Sequence, residues 1–387
     1  MNILHVISTC NPISGGPIEG VKLLYSYYKK RGINVNILCS DNKKAKWLKD
    51  KRLPKVFATG PKLFSYGYNP KMLIWLRENI KQYDLIIIEG IWEYHNYAVW
   101  KVAKKSNVPY YVYLHGMLDP WFKKKYPFKH IKKYIYWKLL QYKILKNSKS
   151  ILYTCDEERI LAKKSFTPFN CREKVIGYGI AGDLNKKSRK QNLFTKKFPE
   201  TKNKRIILFF GRIHEKKGID ILIKCFIKIF ALNSKFHLVI VGPYTDKIFN
   251  KLNNLVVNSN IRKSITWTGP LYEALKWDAY NAAEIFCLPS HQENFGISVA
   301  EAMSCKKPVI ITNKVNIWKT IKNYSAGIIT NDNVNSFYYG LKTYIKLDKK
   351  KYKKLCNNAY TCYINNFHIN QVANNLIKYL KKNNNIN

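Results

Sequence analysis

Short, almost continuously apolar runs alternate along this chain with longer segments in which apolar residues recur every three or four positions. In the first half a helix-like segment at 21–31 follows the first apolar run and ends at Gly32. Strands that are apolar on both faces are typical of parallel sheets covered by helices on both sides. The pattern therefore predicts a doubly wound α/β domain, with strands at 3–8, 35–40, 85–88, 110–114 and 150–154.

The same alternation restarts after residue 204. The segment at 186–204 is polar, rich in lysine and asparagine and without a clear period, so we interpret it as an interdomain linker. We predict one domain at 1–185, a second at 205–366 and a helix at 367–387, with ligands bound between the domains at the carboxyl ends of the strands. The second half has a predicted helix at 219–232 and predicted strands at 205–210, 236–241, 265–267, 285–288 and 308–312.

The charge of the chain is strongly positive. Among 387 residues, 68 Lys and Arg stand against 24 Asp and Glu, which gives a net charge of +44. One interpretation is a polyanionic partner, either nucleic acid or an anionic membrane surface. The other is coding bias, because Lys, Asn, Ile and Tyr are all abundant together, as an AT-rich gene would produce.

The cysteines and the apolar runs indicate the compartment. None of the nine cysteines forms a Cys-x-x-Cys pair and their number is odd, which argues against a disulfide framework or a zinc site. A reducing cytosol fits this usage. The first eight residues predict a strand rather than a signal peptide, and no run approaches 18 apolar residues. We therefore expect a cytoplasmic protein without a transmembrane helix.

Two glutamates, Glu293 and Glu301, stand eight residues apart in the second half. The first follows a predicted strand and the second lies about one turn into the next helix. Free backbone N–H groups at the start of a helix bind anions, here those near Phe295, Gly296 and Ile297. Carboxylates beside such a site favour a ligand with phosphates and hydroxyls, such as a nucleotide sugar. The alternatives are an exposed loop position for Glu293 and a helix cap formed by Glu301 with Ser298.

A second group of candidate residues follows the strand at 205–210. Gly211 and Gly218 allow tight turns and close approach of a ligand. Between them, Arg212 and Lys217 could reach one diphosphate, the first as a fork and the second as a point charge. In a chain this basic, a solvated surface role for Arg212 is the simpler alternative.

The first half offers weaker candidates. Gly15 and Gly16 follow the first strand and are either a generic turn or a loop that faces phosphates. His115 follows the strand at 110–114 and is either an ordinary loop histidine or a site residue. The segment at 121–149 carries ten lysines among aromatic residues. We interpret it as a surface helix that packs one face on its own domain, as a basic face that rests on anionic lipid, or as both together. Apolar residues recur in it at helical spacing in Ile131, Ile135, Leu139 and Tyr142.

Taken in order, these motifs resemble those of the retaining glycosyltransferase family 4, which has the GT-B architecture. The resemblance spans nearly the whole chain and implies two Rossmann-like domains that face one another across a cleft, with the C-terminal helix crossing back to the first. The segment that begins at His115 resembles members that build bacterial surface polysaccharides. The matching motifs are Phe210-Gly211-Arg212, Lys217-Gly218, Val239 to Gly242, Thr268-Gly269, Glu293 to Met303, Pro308 to Ile310, and His115 to Trp121.

The resemblance implies a role for each candidate residue. Arg212 and Lys217 would hold the donor diphosphate and stabilise the leaving group, helped by the backbone N–H groups near Phe295, Gly296 and Ile297. Glu293 would bind sugar hydroxyls, and Glu301 would accept hydrogen bonds from the ribose. His115 would contact the donor sugar. Gly15, Gly16 and Gly211 would let the backbone approach the donor.

The implied reaction transfers a hexose from a UDP- or GDP-sugar to a sugar or a lipid-linked saccharide with retention of configuration. No cofactor is expected, and no metal, since the chain has no Asp-x-Asp. Possible localisation at the inner face of the cell membrane follows from the basic segment at 121–149. The alternative function is a non-enzymatic basic protein that binds nucleic acid or anionic membrane. We find no nucleic-acid-binding motif and expect no nucleic acid partner.

Overall fold

The structure is a computed structural model that describes residues 1–183, 193–257 and 260–386. The chain forms two compact units. Unit 1 comprises Met1–Ile180 with Ile369–Asn387, and unit 2 comprises Ala181–His368. None of the described helices is long and apolar enough to span a membrane.

Unit 1 is built on a seven-stranded parallel sheet. Its strands are β1 Asn2–Ile7, β2 Asn34–Cys39, β3 Lys55–Ala58, β4 Leu85–Glu89, β5 Tyr110–Tyr113, β6 Ser150–Tyr153 and β7 Glu173–Val175. They lie in the order β3-β2-β1-β4-β5-β6-β7. The order reverses between β1 and β4, which pair directly in register, with Ile7 opposite Glu89. Doubly wound sheets bind ligands at such a reversal, beyond the carboxyl ends of the strands.

Helices cover the sheet of unit 1. They are α1 Gly16–Lys29, α2 Pro70–Asn79, α3 Tyr94–Ser106, α4 Trp121–Lys125, α5 Pro127–Tyr136, α6 Tyr142–Asn147, α7 Asp156–Ala162 and, from the C-terminus, α16 Ile369–Asn384. A π-helical turn, Trp137–Gln141, joins α5 to α6. Leu376 and Leu380 of α16 are fully buried, and Asn384 donates to the hydroxyl of Tyr111 at 2.8 Å. The C-terminal helix is therefore part of the core of unit 1.

Unit 2 repeats this plan with six parallel strands. They are β8 Arg205–Phe210, β9 Phe236–Val241, β10 Ile265–Gly269, β11 Ile285–Leu288, β12 Val309–Thr312 and β13 Gly327–Thr330. They lie in the order β10-β9-β8-β11-β12-β13, so the reversal falls between β8 and β11. The helices are α8 Leu193–Lys197, α9 Ile219–Leu232, α10 Asp246–Asn253, α11 Glu273–Ala282, α12 Ile297–Ser304, α13 Trp318–Asn323, α14 Val334–Ile345 and α15 Lys349–Asn366.

Local sequence explains where these elements begin and why they pack. The side chain of Asn69 accepts from the N–H of Met72 at the start of α2, and that of Asp348 caps α15 in the same way. The apolar runs of the central strands are buried on both faces, as in β4, where all five residues are buried. This is the arrangement that parallel sheets require.

The predicted pair of doubly wound Rossmann-like domains is confirmed, as is the C-terminal helix on the first. The boundaries differ from the predicted ones, because unit 1 ends at Ile180 rather than at residue 185. Of the predicted linker at 186–204, residues 186–192 lie outside the described part of the chain. The next residues, Leu193–Lys197, form helix α8 instead of a linker, and Phe194 of this helix is buried in unit 2. A helix of five residues with one buried side chain gives no periodic signal.

Candidate functional site

The loop after β8 carries the predicted cations of unit 2. Gly211 and Arg212 follow the strand, and Arg212 is exposed to solvent. A short 3₁₀ helix, Glu215–Lys217, begins at His214, whose ring accepts from the N–H of Lys216. His214 therefore acts as a cap, although the sequence offers no role for it. Lys217 at the end of this turn is only partly exposed.

Gly218 brings this loop against the end of β11. Its φ is +65°, and a Cβ atom at this position would lie 2.0 Å from the carbonyl oxygen of Pro289. A side chain is excluded there by both the backbone conformation and the neighbouring carbonyl. The glycine thus places the end of the β8 loop beside the segment that leads to Glu293, at the reversal of the sheet.

Lys217 and Glu293 are in direct contact, since the ammonium group donates to Oε2 of the carboxylate. Each side chain is 20% exposed. The backbone of Glu293 is fixed by hydrogen bonds from its N–H to Lys314 O at 2.9 Å and from the N–H of Asn316 to its carbonyl at 3.0 Å. Burial raises the pKa of the Glu293 carboxyl, but the charge and hydrogen bond of Lys217 outweigh it, and the net pKa is lowered.

An unsatisfied polar group belongs to the residue whose backbone N–H bonds the carbonyl of Glu293. Asn316 is buried, and its Nδ2 has no hydrogen-bond partner within the described residues. Buried amide donors are nearly always satisfied, so this one calls for an explanation such as a bound water or ligand oxygen. No motif in the sequence pointed to Asn316, which follows β12 by four residues.

The predicted helix N-terminus is present between the two glutamates. Helix α12 begins at Ile297, with Gly296 as its N-cap residue at φ +79° and no side chain capping it. Phe295 is buried and packs edge-on against Phe367 at 5.3 Å. The first N–H groups of a helix have no partner within the helix. The turn therefore offers them to an anion beside Glu293.

Glu301 lies one turn into α12 and is 8% exposed. Its Oε1 accepts from Lys276 at 2.5 Å and its Oε2 from the hydroxyl of Tyr280 at 2.9 Å. The capping-box alternative with Ser298 is wrong, because Ser298 lies inside the helix and Gly296 is the cap. The Glu301 carboxylate is fixed by these two hydrogen bonds, and each of its oxygens keeps a lone pair that can accept a further hydrogen bond.

In unit 1, Gly15 and Gly16 stand at the start of α1. Gly15 is the N-cap residue at φ +80°, and a Cβ there would meet nothing within 4 Å. The hydroxyl of Tyr178 donates to the carbonyl of Gly16 at 2.7 Å. The glycine loop predicted after β1 thus opens a helix, as a phosphate-facing loop would.

His115 follows β5 with its backbone at φ +50°. Its Nε2 lies 2.6 Å from Oε2 of Glu89, and the other oxygen of Glu89 lies 2.8 Å from Nδ1 of His5. The ring of Tyr113 stacks on His115 with centroids 5.3 Å apart. His115 is therefore a positioned histidine rather than an ordinary loop residue.

A further polar cluster at the same edge of this sheet was missed from the sequence. Lys62 lies 2.8 Å from Glu93 and 2.6 Å from the hydroxyl of Ser8, which also donates to Glu93. Burial raises the pKa of Glu93, but Lys62 and Ser8 outweigh it and the net pKa is lowered. Lys62 is distant in sequence from both partners, and no spacing could have linked them.

One group of side chains in the described residues has the composition of a metal site: Cys10, Cys39 and Asp41, all buried. Both oxygens of Asp41 are already used, by the hydroxyl of Thr9 at 2.5 Å and the N–H of Cys10 at 2.6 Å. A hydrogen bond to Cys10 and burial raise the pKa of the Cys39 thiol. Metals bind cysteine as the thiolate, and a raised pKa disfavours the thiolate. This group therefore fits a packed core better than a metal site.

Most of the apolar stripe predicted in the basic segment faces solvent, with exposed fractions of 58% for Ile131, 55% for Ile135 and 67% for Leu139. Tyr142, the fourth member of the predicted stripe, packs against the core. Phe128, which lies outside the predicted stripe, is 82% exposed. The opposite face of the same helices is buried, through Trp137, Gln141, Ile144 and Leu145. The predicted packing of one face on its own domain is therefore confirmed, and the apolar stripe lies mainly on the exposed face.

The site residues fall into two sets, each at the reversal point of a parallel sheet. Unit 1 holds Gly15, Gly16 and His115, and unit 2 holds the cations, the glutamates and the helix turn. Two family models match the chain over these same units. The model for Glycosyltransferase Family 4 matches residues 15–169, and the model for Glycosyl transferases group 1 matches residues 190–361.

Two such α/β domains in succession define the class of GT-B glycosyltransferases. Together the two models span most of the chain, which belongs to the group 1 glycosyltransferases with a family 4 domain in its first half.

Curated relatives align over part of the chain. A D-inositol 3-phosphate glycosyltransferase of Acidothermus cellulolyticus is 25% identical over 142 residues, which cover 35% of this chain and 32% of that protein. The mannosylfructose-phosphate synthase of Agrobacterium fabrum is 28% identical over 123 residues, covering 30% of this chain and 27% of that protein. The chain thus spans about a third or less of the length of these two relatives.

Solved structures match over the whole chain. The Anabaena protein Alr3699/HepE, in complex with UDP and glucose, has a TM-score of 0.77 at 16% identity and covers 99% of this chain and 100% of that one. A glycosyltransferase from Rickettsia africae has a TM-score of 0.79 at 20% identity and covers 99% and 98%. At these identities the likeness concerns the fold.

Proposed function

We propose that this protein is a retaining, metal-independent glycosyltransferase. It takes a hexose from a UDP- or GDP-sugar and transfers it to a sugar or a lipid-linked saccharide, in the synthesis of a bacterial surface polysaccharide. The observation that carries the proposal is the contact between Lys217 and Glu293 beside the uncapped N-terminus of α12. A cation, a carboxylate and free N–H groups together suit a sugar that carries a diphosphate.

Each group in unit 2 has a task in this proposal. Arg212 is exposed and Lys217 is partly exposed, so both side chains are available to the diphosphate. Their charge, with the start of α12, stabilises the negative charge that develops on the leaving group. Glu293 binds hydroxyls of the sugar, and Glu301 binds those of the ribose. The Anabaena structure supports this reading, because its bound molecules are UDP and glucose.

We propose an attack on the same face of the sugar for the transfer step. The acceptor hydroxyl attacks the anomeric carbon on the face from which the diphosphate leaves, the bond from carbon to phosphate oxygen breaks, and a phosphate oxygen takes the hydroxyl proton. Retention of configuration results without a covalent intermediate on the protein. In unit 1, Gly15 and Gly16 let the backbone approach the phosphates, and His115 contacts the donor sugar.

Thermal shift with UDP, GDP and ADP tests donor binding, because a ligand that binds only the folded state raises the melting temperature. We expect one nucleotide to stabilise the protein and Arg212→Ala to abolish the shift. Arg262→Ala, at another arginine of unit 2, is the matched control and should leave the shift intact. If no nucleotide stabilises the protein while oligonucleotides bind tightly at moderate salt, the proposal fails.

A hydrolysis screen across UDP- and GDP-sugars then identifies the donor without needing an acceptor. Proton NMR of the first sugar released or transferred reports its anomeric configuration, for which we expect retention. Turnover should persist in excess EDTA. An inverted product, or activity restored only by a divalent cation, contradicts the corresponding part of the proposal.

We also propose that the protein works at the inner face of the cell membrane, where a lipid-linked acceptor would be held. The support is the solvent-facing stripe of Phe128, Ile131, Ile135 and Leu139, flanked by exposed lysines. Apolar side chains beside basic ones are the composition of helices that lie in an anionic membrane interface.

Co-sedimentation with vesicles tests this location. We expect binding to vesicles with anionic lipid, reduced both by serine at the four stripe positions and by added salt. Leu232→Ser is the matched control, since Leu232 of unit 2 is 59% exposed and lies outside the stripe. Equally weak binding to neutral and anionic vesicles, or an equal effect of the control, contradicts the location.

A further inference from the structure

Three ionisable side chains meet inside unit 1 at the carboxyl end of its sheet. Oε1 of Glu89 lies 2.8 Å from Nδ1 of His5, and Oε2 lies 2.6 Å from Nε2 of His115. His5 belongs to β1, Glu89 ends β4 and His115 follows β5, and these strands are neighbours in the sheet. The proposed function uses His115 alone and leaves the other two unexplained.

The surroundings of His5 determine where its proton lies. The residue is fully buried, and its Nε2 has no hydrogen-bond partner in the described part of the chain. A proton on Nε2 would be a buried N–H without an acceptor, which is strongly unfavourable. The ring is therefore neutral with its proton on Nδ1, and it donates to Glu89. His5 supplies a hydrogen bond without supplying a charge.

Glu89 is then held as an ionised carboxylate. Burial alone would raise the pKa of this carboxyl, but the hydrogen bonds from His115 and His5 bring the pKa down to about 2. Each carboxylate oxygen receives one of the two imidazoles, which fixes the orientation of the group. An ionised carboxylate only accepts hydrogen bonds, so His115 must carry a proton on Nε2.

The backbone of His115 itself is in the left-handed region, which non-glycine residues seldom adopt. Its backbone has φ +50°, and the next N–H, that of Gly116, donates to Glu158 at 2.6 Å. Non-glycine residues persist in such conformations where the surroundings fix them, often at functional sites. With Nε2 bonded to Glu89 and Tyr113 stacked on one face of the ring, Nδ1 is the nitrogen that remains for a ligand.

We propose that Glu89, fixed by His5, is a positioning residue for His115 that sets the tautomer of the imidazole and presents Nδ1 to the donor sugar. The inference rests on the proposed function, because the donor sugar is the ligand of Nδ1. With its Nε2 proton committed to Glu89, the ring in its neutral form accepts a sugar hydroxyl at Nδ1.

Several other titratable groups face this network. They are Tyr28 on α1, His95 on α3, Tyr113 on β5, Glu158 on α7, and Tyr178 in the loop after β7.

NMR of the full-length protein with isotope-labelled histidine tests the tautomers directly and needs no substrate. We expect His115 as the Nε2–H form and His5 as the Nδ1–H form. The Nδ1–H form at His115, or the Nε2–H form at His5, overturns the proposal. This measurement on the wild type does not depend on any variant folding.

Glu89→Gln tests the consequence. Removal of one carboxylate oxygen should change the tautomer populations of the two histidines, because glutamine has a single carbonyl oxygen and cannot accept from both imidazoles as the carboxylate does. Donor hydrolysis should lose kcat by roughly 10- to 100-fold, the range typical for loss of a group that orients a ligand histidine, while UDP affinity stays within about threefold. Glu89→Asp, which keeps both carboxylate oxygens, should retain the Nε2–H form of His115. Glu93→Gln is the control and should leave it unchanged.

The outcomes separate the two proposals. If Glu89→Gln changes the tautomers of the two histidines but no nucleotide sugar is hydrolysed by the wild type, the proposed function is wrong and the hold of Glu89 on His115 stands. If the wild type hydrolyses a donor and Glu89→Gln changes neither these tautomers nor kcat, the positioning role is wrong.

Discussion

The division of roles between Glu301 and Glu293 gives the sharpest prediction for unit 2. Glu301 is nearly buried, with one oxygen on Lys276 and the other on Tyr280. Glutamine at this position keeps the shape but removes the charge and replaces one of the two acceptor oxygens with an NH₂ donor. If the carboxylate receives the ribose hydroxyls, Glu301→Gln should weaken nucleotide binding directly.

The expected magnitude follows from the chemistry of the acceptor. A hydrogen bond to a charged group contributes about 1.5–3 kcal/mol, against about 0.5–1.5 kcal/mol between neutral groups. Each ribose hydroxyl should therefore lose about 1–1.5 kcal/mol, and every 1.4 kcal/mol is about tenfold in Kd. We expect the Kd for the nucleotide diphosphate to rise by roughly 10- to 100-fold, depending on whether one or two hydroxyls are bound.

Titration calorimetry with UDP and GDP measures this change. Glu293→Gln is the matched variant. Its Kd for the nucleotide diphosphate should stay within about threefold of the wild-type value, because this ligand lacks the hexose whose hydroxyls Glu293 is proposed to bind. The 2′-deoxy nucleotide provides an internal check, since its penalty relative to the ribonucleotide should shrink in Glu301→Gln. Melting curves without ligand separate loss of binding from loss of folding. Equal weakening by both variants, or an unchanged deoxy penalty, would refute the assignment.

Three other substitutions, one of them with a control, probe the framework of the protein. Lys217→Met should move the acid limb of the pH profile of turnover to higher pH, because burial, opposed less strongly once this ammonium group is gone, raises the pKa of Glu293 and the carboxylate ionises later; an unmoved limb contradicts this. In urea unfolding, Leu376→Ala in α16, at a fully buried side chain, should cost about 2–5 kcal/mol. Leu139→Ala, at a side chain that is 67% exposed, should stay within about 0.5 kcal/mol, and equal costs would refute the packing. Gly218→Ala should lower stability by about 2 kcal/mol or more, because its φ is +65° and a carbonyl oxygen lies 2.0 Å from the added carbon; a neutral result in the same assay counts against this turn.

The sequence predicts the central strands of unit 2 closely and the edge strands poorly. Arg205–Phe210 and Phe236–Val241 appear with their predicted bounds, because a strand buried on both faces is a continuous apolar run. The edge strand β7 of unit 1, Glu173–Val175, was not predicted, because it is three residues long and none of its residues is fully buried. Edge strands have little apolar pattern, so only pairing with a neighbour defines them.

Periodicity located the basic helices of unit 1 but could not say which face is inside. Ile131, Ile135 and Leu139 have the spacing of a buried stripe and are exposed. The buried face is formed by Trp137 and Ile144, seven residues apart on the other side. A helix with apolar residues on two faces gives the same signal for either orientation, and packing against the sheet decides between them.

The predicted site residues follow the carboxyl ends of strands or stand at helix starts, as their motifs indicated, but the motifs did not reveal the partners of these residues. Lys276 and Tyr280 lie on a different helix from Glu301, at no spacing that would link them to it. Glu89 ends an apolar run, and a charged residue in that position is a weak sign that it is buried with a partner. Such contacts arise from the way the layers pack.

The ionisation of Glu293 bears on the chemistry of the proposed transfer. A general base works best with a pKa near the working pH, whereas Lys217 holds the pKa of Glu293 below its usual range. A carboxylate that already accepts from a cation is a weak proton acceptor and a weak nucleophile, which argues against a covalent sugar on this residue. The proton of the acceptor hydroxyl then needs another destination, and the leaving phosphate oxygen is the base nearest the bond that breaks. We propose that the ammonium group of Lys217, which contacts Glu293 in the free protein, moves toward the leaving phosphate as that bond opens.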